Sequence, residues 1–351
     1  MIQAVKDAGI EKIYIVAGEN ITAIKDYING REIQLFRTAD DATACFEDEL
    51  IVFLSGDKPF IDADSIKGAI EMHKNNPFCM TAISEKYVGC CISAGLIGKS
   101  GVRTKIFTSA NKNFTLSADS YADLSRLNET MRLLILERHI NNDVDIPCID
   151  GIIISPGCTI GSGTTILPNT IIKDNTSIGE NCILGPDSYI ENAEIGNAVR
   201  FDNSQIRSAK ILSDADIGPF VHIRPASVIG ENVHLGNFVE VKNSVIDTST
   251  KVSHLTYVGD SDVGRNVNFG CGVVTVNFTG KTKHRTTIRD GAFIGCNTNL
   301  IAPVTVGKNS YTAAGSTITQ NVPDNSLAIA REKQINKEGW VKKNQPYRNK
   351  V

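Results

Sequence analysis

The sequence predicts a two-part chain, a small α/β unit followed by a long parallel β-helix. Two observations carry the second part. Ile154, Ile160, Ile166, Ile172, Ile178, Leu184 and Ile190 recur every six residues, and the register returns at Ile217, Ile223, Ile229, Leu235 and Val241 and again at Ile288, Ile294, Leu300, Val306, Thr312 and Ile318. A helix repeats at 3.6 residues and a half-buried strand at 2, so neither calls for an aliphatic at every sixth position. A coil with three short faces, one hexapeptide to a face, does. Gly, Asn or Asp follows soon after many of these aliphatics, as in Ile160-Gly161, Ile178-Gly179-Glu180-Asn181 and Ile294-Gly295. Such residues suit the turns between faces, where a positive φ is cheap for Gly and tolerable for Asn.

Composition bounds the rest. The 351 residues are enough for two domains. A net charge of −3 gives no blanket attraction to nucleic acid or to an anionic membrane. No apolar run approaches the roughly 18 residues of a membrane span. Met1-Ile2-Gln3-Ala4-Val5-Lys6 lacks the basic start and apolar core of a signal peptide, so a cytoplasmic location is expected. The nine cysteines form no C-x-x-C pair, and only Cys90 and Cys91 are adjacent. They read as reduced thiols. Cys158, Cys182, Cys271 and Cys296 are expected to pack as small residues of the solenoid rather than to bind metal.

Along the chain, residues 1–118 read as the α/β unit. A short amphipathic helix around Gln3–Ala8 precedes a buried strand, Lys12-Ile13-Tyr14-Ile15-Val16-Ala17-Gly18, and Leu50 to Asp57 is a second strand ending in an acid. Residues 64–75 look helical, with Asp64 as N-cap. Alternating strands and helices favour a parallel sheet. Residues 119–145 hold an amphipathic linking helix, marked by Leu124, Leu127, Met131, Leu134 and Ile135. The β-helix occupies 146–322, and 323–351 form a polar tail.

Two breaks interrupt the register. Between Ile190 and Ile217 the repeat loosens, as an irregular coil would make it. Between Val274 and Ile288 fourteen residues stand where twelve would keep step, and they include the basic stretch Lys281-Thr282-Lys283-His284-Arg285. A polar excursion from a solenoid is either a tolerated surface insertion or a binding element. Arg224 and Lys242 are 18 residues apart, one full coil, and should stack on one face at the inter-strand distance of ~4.8 Å. Stacked cations repel unless an anion such as phosphate lies between them, or unless neighbouring Glu or Asp side chains pair with them.

At this point the residues meet a family. Gly218-Pro219-Phe220, Arg224-Pro225, Gly236-Asn237-Phe238-Val239-Glu240-Val241-Lys242, His254-Leu255-Thr256-Tyr257-Val258-Gly259-Asp260, Asn268-Phe269-Gly270-Cys271-Gly272, Asn277-Phe278-Thr279-Gly280, Ala302-Pro303-Val304-Thr305-Val306-Gly307 and Lys337-Glu338-Gly339-Trp340 lie in one constant register. They resemble the acetyltransferase half of the bacterial bifunctional N-acetylglucosamine-1-phosphate uridyltransferase/glucosamine-1-phosphate N-acetyltransferase. The resemblance implies a left-handed β-helix, a homotrimer, acetyl-CoA as co-substrate and a small amino-sugar phosphate as acceptor. It implies that His254 is the general base, a task suited to an imidazole of pKa about 6.5. It implies sugar-phosphate contacts at Arg224, Lys242, Tyr257, Asn268 and Lys283. Asn277 and Phe278 would approach the reacting groups, and Cys271, Cys296, Ala314 and Arg331 would contact acetyl-CoA. Phe278, Thr279 and Thr282 depart from the family's usual Tyr, Asp and Asn. An acceptor that is another amino sugar or sugar nucleotide, or a non-catalytic subunit of mixed trimers, are the competing readings.

The N-terminal region resembles the uridyltransferase half only from that domain's second strand onward. The Gly-x-Gly-Thr-Arg loop that holds nucleotide phosphates in the family has no counterpart, and Thr38-Ala39-Asp40-Asp41 stands where a Gly-Thr-Gly motif is expected. Asp57 matches a metal-binding acid. One carboxylate without a phosphate loop makes a poor site for Mg²⁺ and nucleotide. The expectation is a truncated, degenerate nucleotidyltransferase-like scaffold that has lost uridyltransferase activity, with Asp57 a vestige.

Overall fold

The computed structural model describes residues 1–28, 33–44, 50–86 and 88–344, which fall into two compact units, Met1–Met131 and Arg132–Val351. The boundary lies within the helix Tyr121–Ile140.

In the first unit, the helix Ile2–Asp7 precedes the strand Ile13–Val16, which pairs in parallel with Ile33–Phe36. A separate four-stranded sheet has the order Leu50–Leu54, Gly89–Ser93, Cys79–Ile83, Arg103–Phe107. Its first two pairings are antiparallel and its last is parallel. The expected all-parallel sheet is therefore corrected to a mixed one. The cause is local. Five residues join Cys79–Ile83 to Gly89–Ser93, and a parallel crossover needs a dozen or more. The helix Ala63–Lys74 is capped by Asp62, whose side chain accepts from Ser65 N at 2.7 Å, and not by Asp64, which falls inside the first turn. Val5, Ile61, Ile66, Ala69, Ile83, Val88, Cys91 and Phe114 form the buried core of this unit.

The second unit is a left-handed parallel β-helix. Among the described residues its three faces are parallel sheets of ten, nine and ten strands. The first face starts at Ile153–Ile154, the second at Thr159–Ile160 and the third at Thr165–Ile166. The last paired strand of the third face, Leu327–Ala328, lies beyond Val322, so regular pairing runs further than the hexapeptide count reached. Of the tail, residues 345–351 lie outside the described residues.

Most corners follow one rule. An inward aliphatic is followed by a corner residue of positive φ, then by a small buried residue that starts the next face. Asn181 (φ 56°) precedes Cys182, and Asn232 (φ 53°) precedes Val233. Cys158 and Cys182 occupy this small-residue column, as expected. Cys271 and Cys296 do not, because they lie just before the corner and are half-buried and exposed respectively.

The supposed irregular coil between Ile190 and Ile217 is regular. Ile190 pairs with Ile206 and Ile206 with Ile223 on the first face. Ile195 and Phe201 continue the other two faces. The corners at Asn192, Asn203 and Ser208 each use one residue fewer, so steps of six become steps of five. The second break is larger than the sequence count. Thr275, fully buried, and not Val274, is the inward residue, and it pairs across from Leu300. Its hydroxyl is satisfied by Gly259, taking the backbone N–H at 2.7 Å and donating to the carbonyl at 3.1 Å. A five-residue step from Thr275 to Ile288 would need only Val276, Asn277, Thr286 and Thr287. Residues 278–285 are an eight-residue loop inserted at the corner.

Candidate functional site

The three faces sort the candidate residues onto two corners that flank the first face. At the corner between the third and first faces, His254, Cys271, Cys296 and Ala314 take equivalent places on four successive coils. His254 pairs with Asn237 below it. Asn297 N bonds to Cys271 O at 2.8 Å and Gly315 N to Cys296 O at 2.8 Å, which stacks the upper members. The Arg331 side chain runs beside Gly315. Successive coils are ~4.8 Å apart, so this column of small residues is a shallow track that starts at His254. The His254 side chain is exposed. Asn268 stands on the adjoining third face, between Lys251 and Phe293.

At the opposite corner the loop 278–285 leaves and returns. Phe278 and Lys283 face each other in an isolated antiparallel bridge, and Thr279 N bonds to Thr282 O at 3.0 Å. The hydroxyl of Thr279 also accepts from Thr282 N at 3.2 Å, so these two threonines close the turn. The loop delivers Lys283 to Lys242. The Lys283 ammonium, with Arg224 one coil below, holds the Lys242 amine under its ordinary range. Arg224 itself pairs with Glu240 at 2.8 Å. Of the two expected outcomes, the structure has the pairing with a carboxylate, and only at Arg224. One cation is neutralised by a glutamate, and the other meets a third cation instead of an acid.

Beneath this cationic cluster lies a polar network that the sequence reading missed. Asp260 is 5% exposed, and its carboxylate accepts from the side-chain amides of Asn243 and Asn277. Asn277 Nδ2 also lies 3.4 Å from the Tyr257 hydroxyl. The Tyr257 ring lies over Gly259, where any Cβ would collide with it. Arg285 anchors the loop's end with an ion pair to Asp262 and a bond to Asn243 O at 3.1 Å. Asp262 and burial set opposing pulls on that guanidinium, and the acid wins, raising it above the ordinary arginine range. The signal for this network was present. Asn243, Asp260 and Asn277 are spaced by 17 residues, but that spacing means a column only once 17-residue coils are recognised.

The structure brings together Arg224, Lys242 and Lys283, and separately Tyr257 with Asn277. His254 heads the other column, and Phe278 is exposed on the loop.

In the first unit Asp57 follows its strand. The Ser55 hydroxyl, then Lys58 at 3.0 Å, hold its carboxyl below the usual range. Asp57 is engaged by its neighbours, and among the described residues no three His, Cys, Asp or Glu side chains converge. No helix among the described residues is long and apolar enough to cross a membrane.

A triangular parallel β-helix with a shallow corner track and a looped polar corner defines a hexapeptide-repeat acyltransferase. The bacterial transferase hexapeptide (six repeats) family matches residues 157–192 and 285–320. The bifunctional protein GlmU of Clostridium perfringens (strain SM101 / Type A) is 35% identical over 415 aligned positions, covering 98% of this chain and 91% of that protein. GlmU of Clostridioides difficile (strain 630) is 38% identical over 327, covering 93% and 70%. GlmU of Acetivibrio thermocellus is 50% identical over 226 positions, covering 64% of this chain and 49% of its own length. The chain belongs to the bifunctional GlmU family.

Proposed function

We propose that the chain transfers acetyl from acetyl-CoA to the amine of glucosamine-1-phosphate. The observation that carries this reading is the convergence of Lys242 and Lys283 with Arg224 at one corner of the first face. Closely placed ammonium groups repel each other, and a phosphate between them removes the repulsion and gains charge-assisted hydrogen bonds. The track of Cys271, Cys296 and Ala314 supports a second, elongated ligand. Small side chains leave room for a pantetheine arm, and Arg331 at its far end suits a phosphate.

The chemistry needs no covalent enzyme intermediate. The sugar amine attacks the thioester carbonyl carbon, forming a C–N bond while the C–S bond breaks. His254 takes the amine proton, and the leaving thiolate is protonated to give CoA. Hydrogen-bond donors stabilise the oxyanion. Cys271 and Cys296 are walls of the track and not nucleophiles. Release of CoA, followed with a thiol reagent, tests the reading. No acceptor-dependent release above background would sink it, and release with a different amino sugar only would move it to the second acceptor class.

We also infer a homotrimer whose sites are completed between copies. Phe220 and Phe238 stack at 5.1 Å on the His254 corner while 51% and 57% exposed, and Leu255, 58% exposed, continues their column. All three hold positive φ. Bulky residues are rarely found in that backbone region, and an exposed apolar column marks an interaction surface. C₃ closure would use it in a heterologous contact. Mixing His254→Ala with Lys283→Ala chains should recover part of the activity. A monomer by light scattering, or no recovery after proven subunit exchange, would overturn this.

For the first unit, the reading is a scaffold without uridyltransferase activity, supported by the engagement of Asp57 with Ser55 and Lys58. Pyrophosphate release from UTP and N-acetylglucosamine-1-phosphate, abolished by Asp57→Ala, would refute it.

A further inference from the structure

We infer that Asp260 is a positioning residue for acetyl transfer, acting by fixing which end of the Asn277 amide faces the acceptor. The inference rests on the acetyltransferase reading above. An ionised carboxylate only accepts hydrogen bonds, so the Asn277 group facing Asp260 is the NH₂. The second N–H of that group points to the Tyr257 hydroxyl at 3.4 Å. Both donors are then spent inside the protein. The carbonyl oxygen Oδ1 has no protein donor among the described residues. It is left as an acceptor.

An acceptor is what an attacking amine requires at this place. The amine carries hydrogens and one lone pair. A carbonyl oxygen that receives one N–H aims the lone pair, whereas a flipped amide would present NH₂ and push the amine away. An isolated asparagine has no preference between the two orientations, since its ends are nearly the same size. Asp260 supplies the preference. It is held in turn, because Asn243 donates to its other oxygen and Thr286 N bonds to its backbone carbonyl at 3.1 Å. Asp260 also sits at φ 47°, a corner conformation uncommon for a residue other than Gly. The carboxylate therefore lies rigidly beneath Asn277 before any ligand arrives, which is the preorganised support a reacting group needs.

The test uses the full chain, acetyl-CoA and glucosamine-1-phosphate, with CoA release as readout. Asp260→Asn should lower kcat by roughly 10–100-fold, up to the ~10²-fold loss that misplacing a reacting group can bring, with KM for the acceptor changed less than about 2-fold. In an Asn277→Ala background the same substitution should cost less than about 2-fold more, because the group it orients is gone. A kcat for Asp260→Asn within about 2-fold of wild type overturns the inference. So does a loss that multiplies through unchanged in the Asn277→Ala background, since that is what a purely structural role gives. Should Asp260→Asn fail to fold, the reciprocal pair Asp260→Asn with Asn277→Asp restores one amide against one carboxylate. Its activity should exceed that of Asn277→Asp alone by about 10-fold or more, and equal activity overturns the inference. Wild-type protein without acceptor-dependent turnover would instead remove the reading on which it rests.

Discussion

The two units bury their side chains in different ways. In the β-helix each inward residue is covered above and below by its counterparts, so Ile172, Ile190, Ile206, Ile223 and Val241 are all fully buried along one line. In the first unit the strand Ile13–Val16 has, among the described residues, one partner, Ile33–Phe36, and its residues are half-buried or exposed. Thr164, Thr176, Thr250 and Thr298 each find a backbone carbonyl of the coil, but Ser227 Oγ and Thr286 Oγ1 of the second unit, like Thr81 Oγ1 and His73 Nδ1 of the first, have no hydrogen-bond partner among the described residues. The repeat copies one packing solution from coil to coil, whereas an irregular α/β unit solves it position by position. That is why function, which needs departures from the rule, is easy to locate on the solenoid. The loop 278–285 is the largest departure, and it carries Lys283 to Lys242.

The contrast can be broken most decisively by activity. His254→Ala should lower kcat by roughly 10²–10⁴, the usual loss for a positioned general base, while Asp57→Ala in the first unit leaves CoA release within about 2-fold. Comparable losses at both positions would erase the functional division. Next comes packing. Ile217→Ala, at a fully buried position, should cost about 2–5 kcal/mol in denaturant unfolding, and Ile15→Ala, half-buried, about 1 kcal/mol, because less surface is returned to water and less cavity is left. A smaller effect follows from Gly259→Ala. The added methyl displaces the Tyr257 ring, so KM for the acceptor should rise about 3–10-fold with the fold intact, in line with losing ~1 kcal/mol of binding. Steady-state kinetics at saturating acetyl-CoA would show it, and an unchanged KM would remove Tyr257 from acceptor binding.

The smallest expected effect is one in which the units agree. Burial holds the imidazoles of His73 in the first unit and His139 in the second below the ordinary range, and Arg138 adds to the effect on His139. Each folded pKa lies below the unfolded value of about 6.5. The unfolded chain then binds more protons as the pH falls. Stability is full above about pH 6.5 and declines below it. Melting midpoints should drop between pH 7.5 and pH 5.5 in both units. Midpoints that stay level would mean these imidazoles are not buried in neutral form.

How much could be read in advance depended on what the code was written in. The inward aliphatics were legible because each is a large residue at a fixed interval. The steps of five were not, since a shorter corner leaves the same residue types and changes only the count. Thr275 hid the true size of the inserted loop, because a buried threonine that satisfies its hydroxyl on Gly259 looks polar in a sequence. Cys271 and Cys296 were misplaced for a related reason, a small apolar residue being equally at home inside a coil and on a ligand track. The strands Cys79–Ile83 and Gly89–Ser93 carry no such period, and their antiparallel pairing came from a connection too short to cross over. Asp260 shows no role in the sequence, where it only closes the stretch that begins at His254. Its partners lie 17 residues away on either side, and only the coil brings them together.

The eight-residue loop has one further consequence. It leaves after Asn277 and rejoins at Thr286, and that junction reproduces the pairs Asn243-Ser244 and Asp260-Ser261 of the coils below it. The coils above and below therefore meet in register whether the loop is there or not. The rod and the loop are separable inheritances. Changes in the loop's length or sequence would move Lys283 relative to Lys242 while the paired strands on either side keep their register. Tolerance of that kind lets a rigid scaffold acquire a new acceptor one loop at a time.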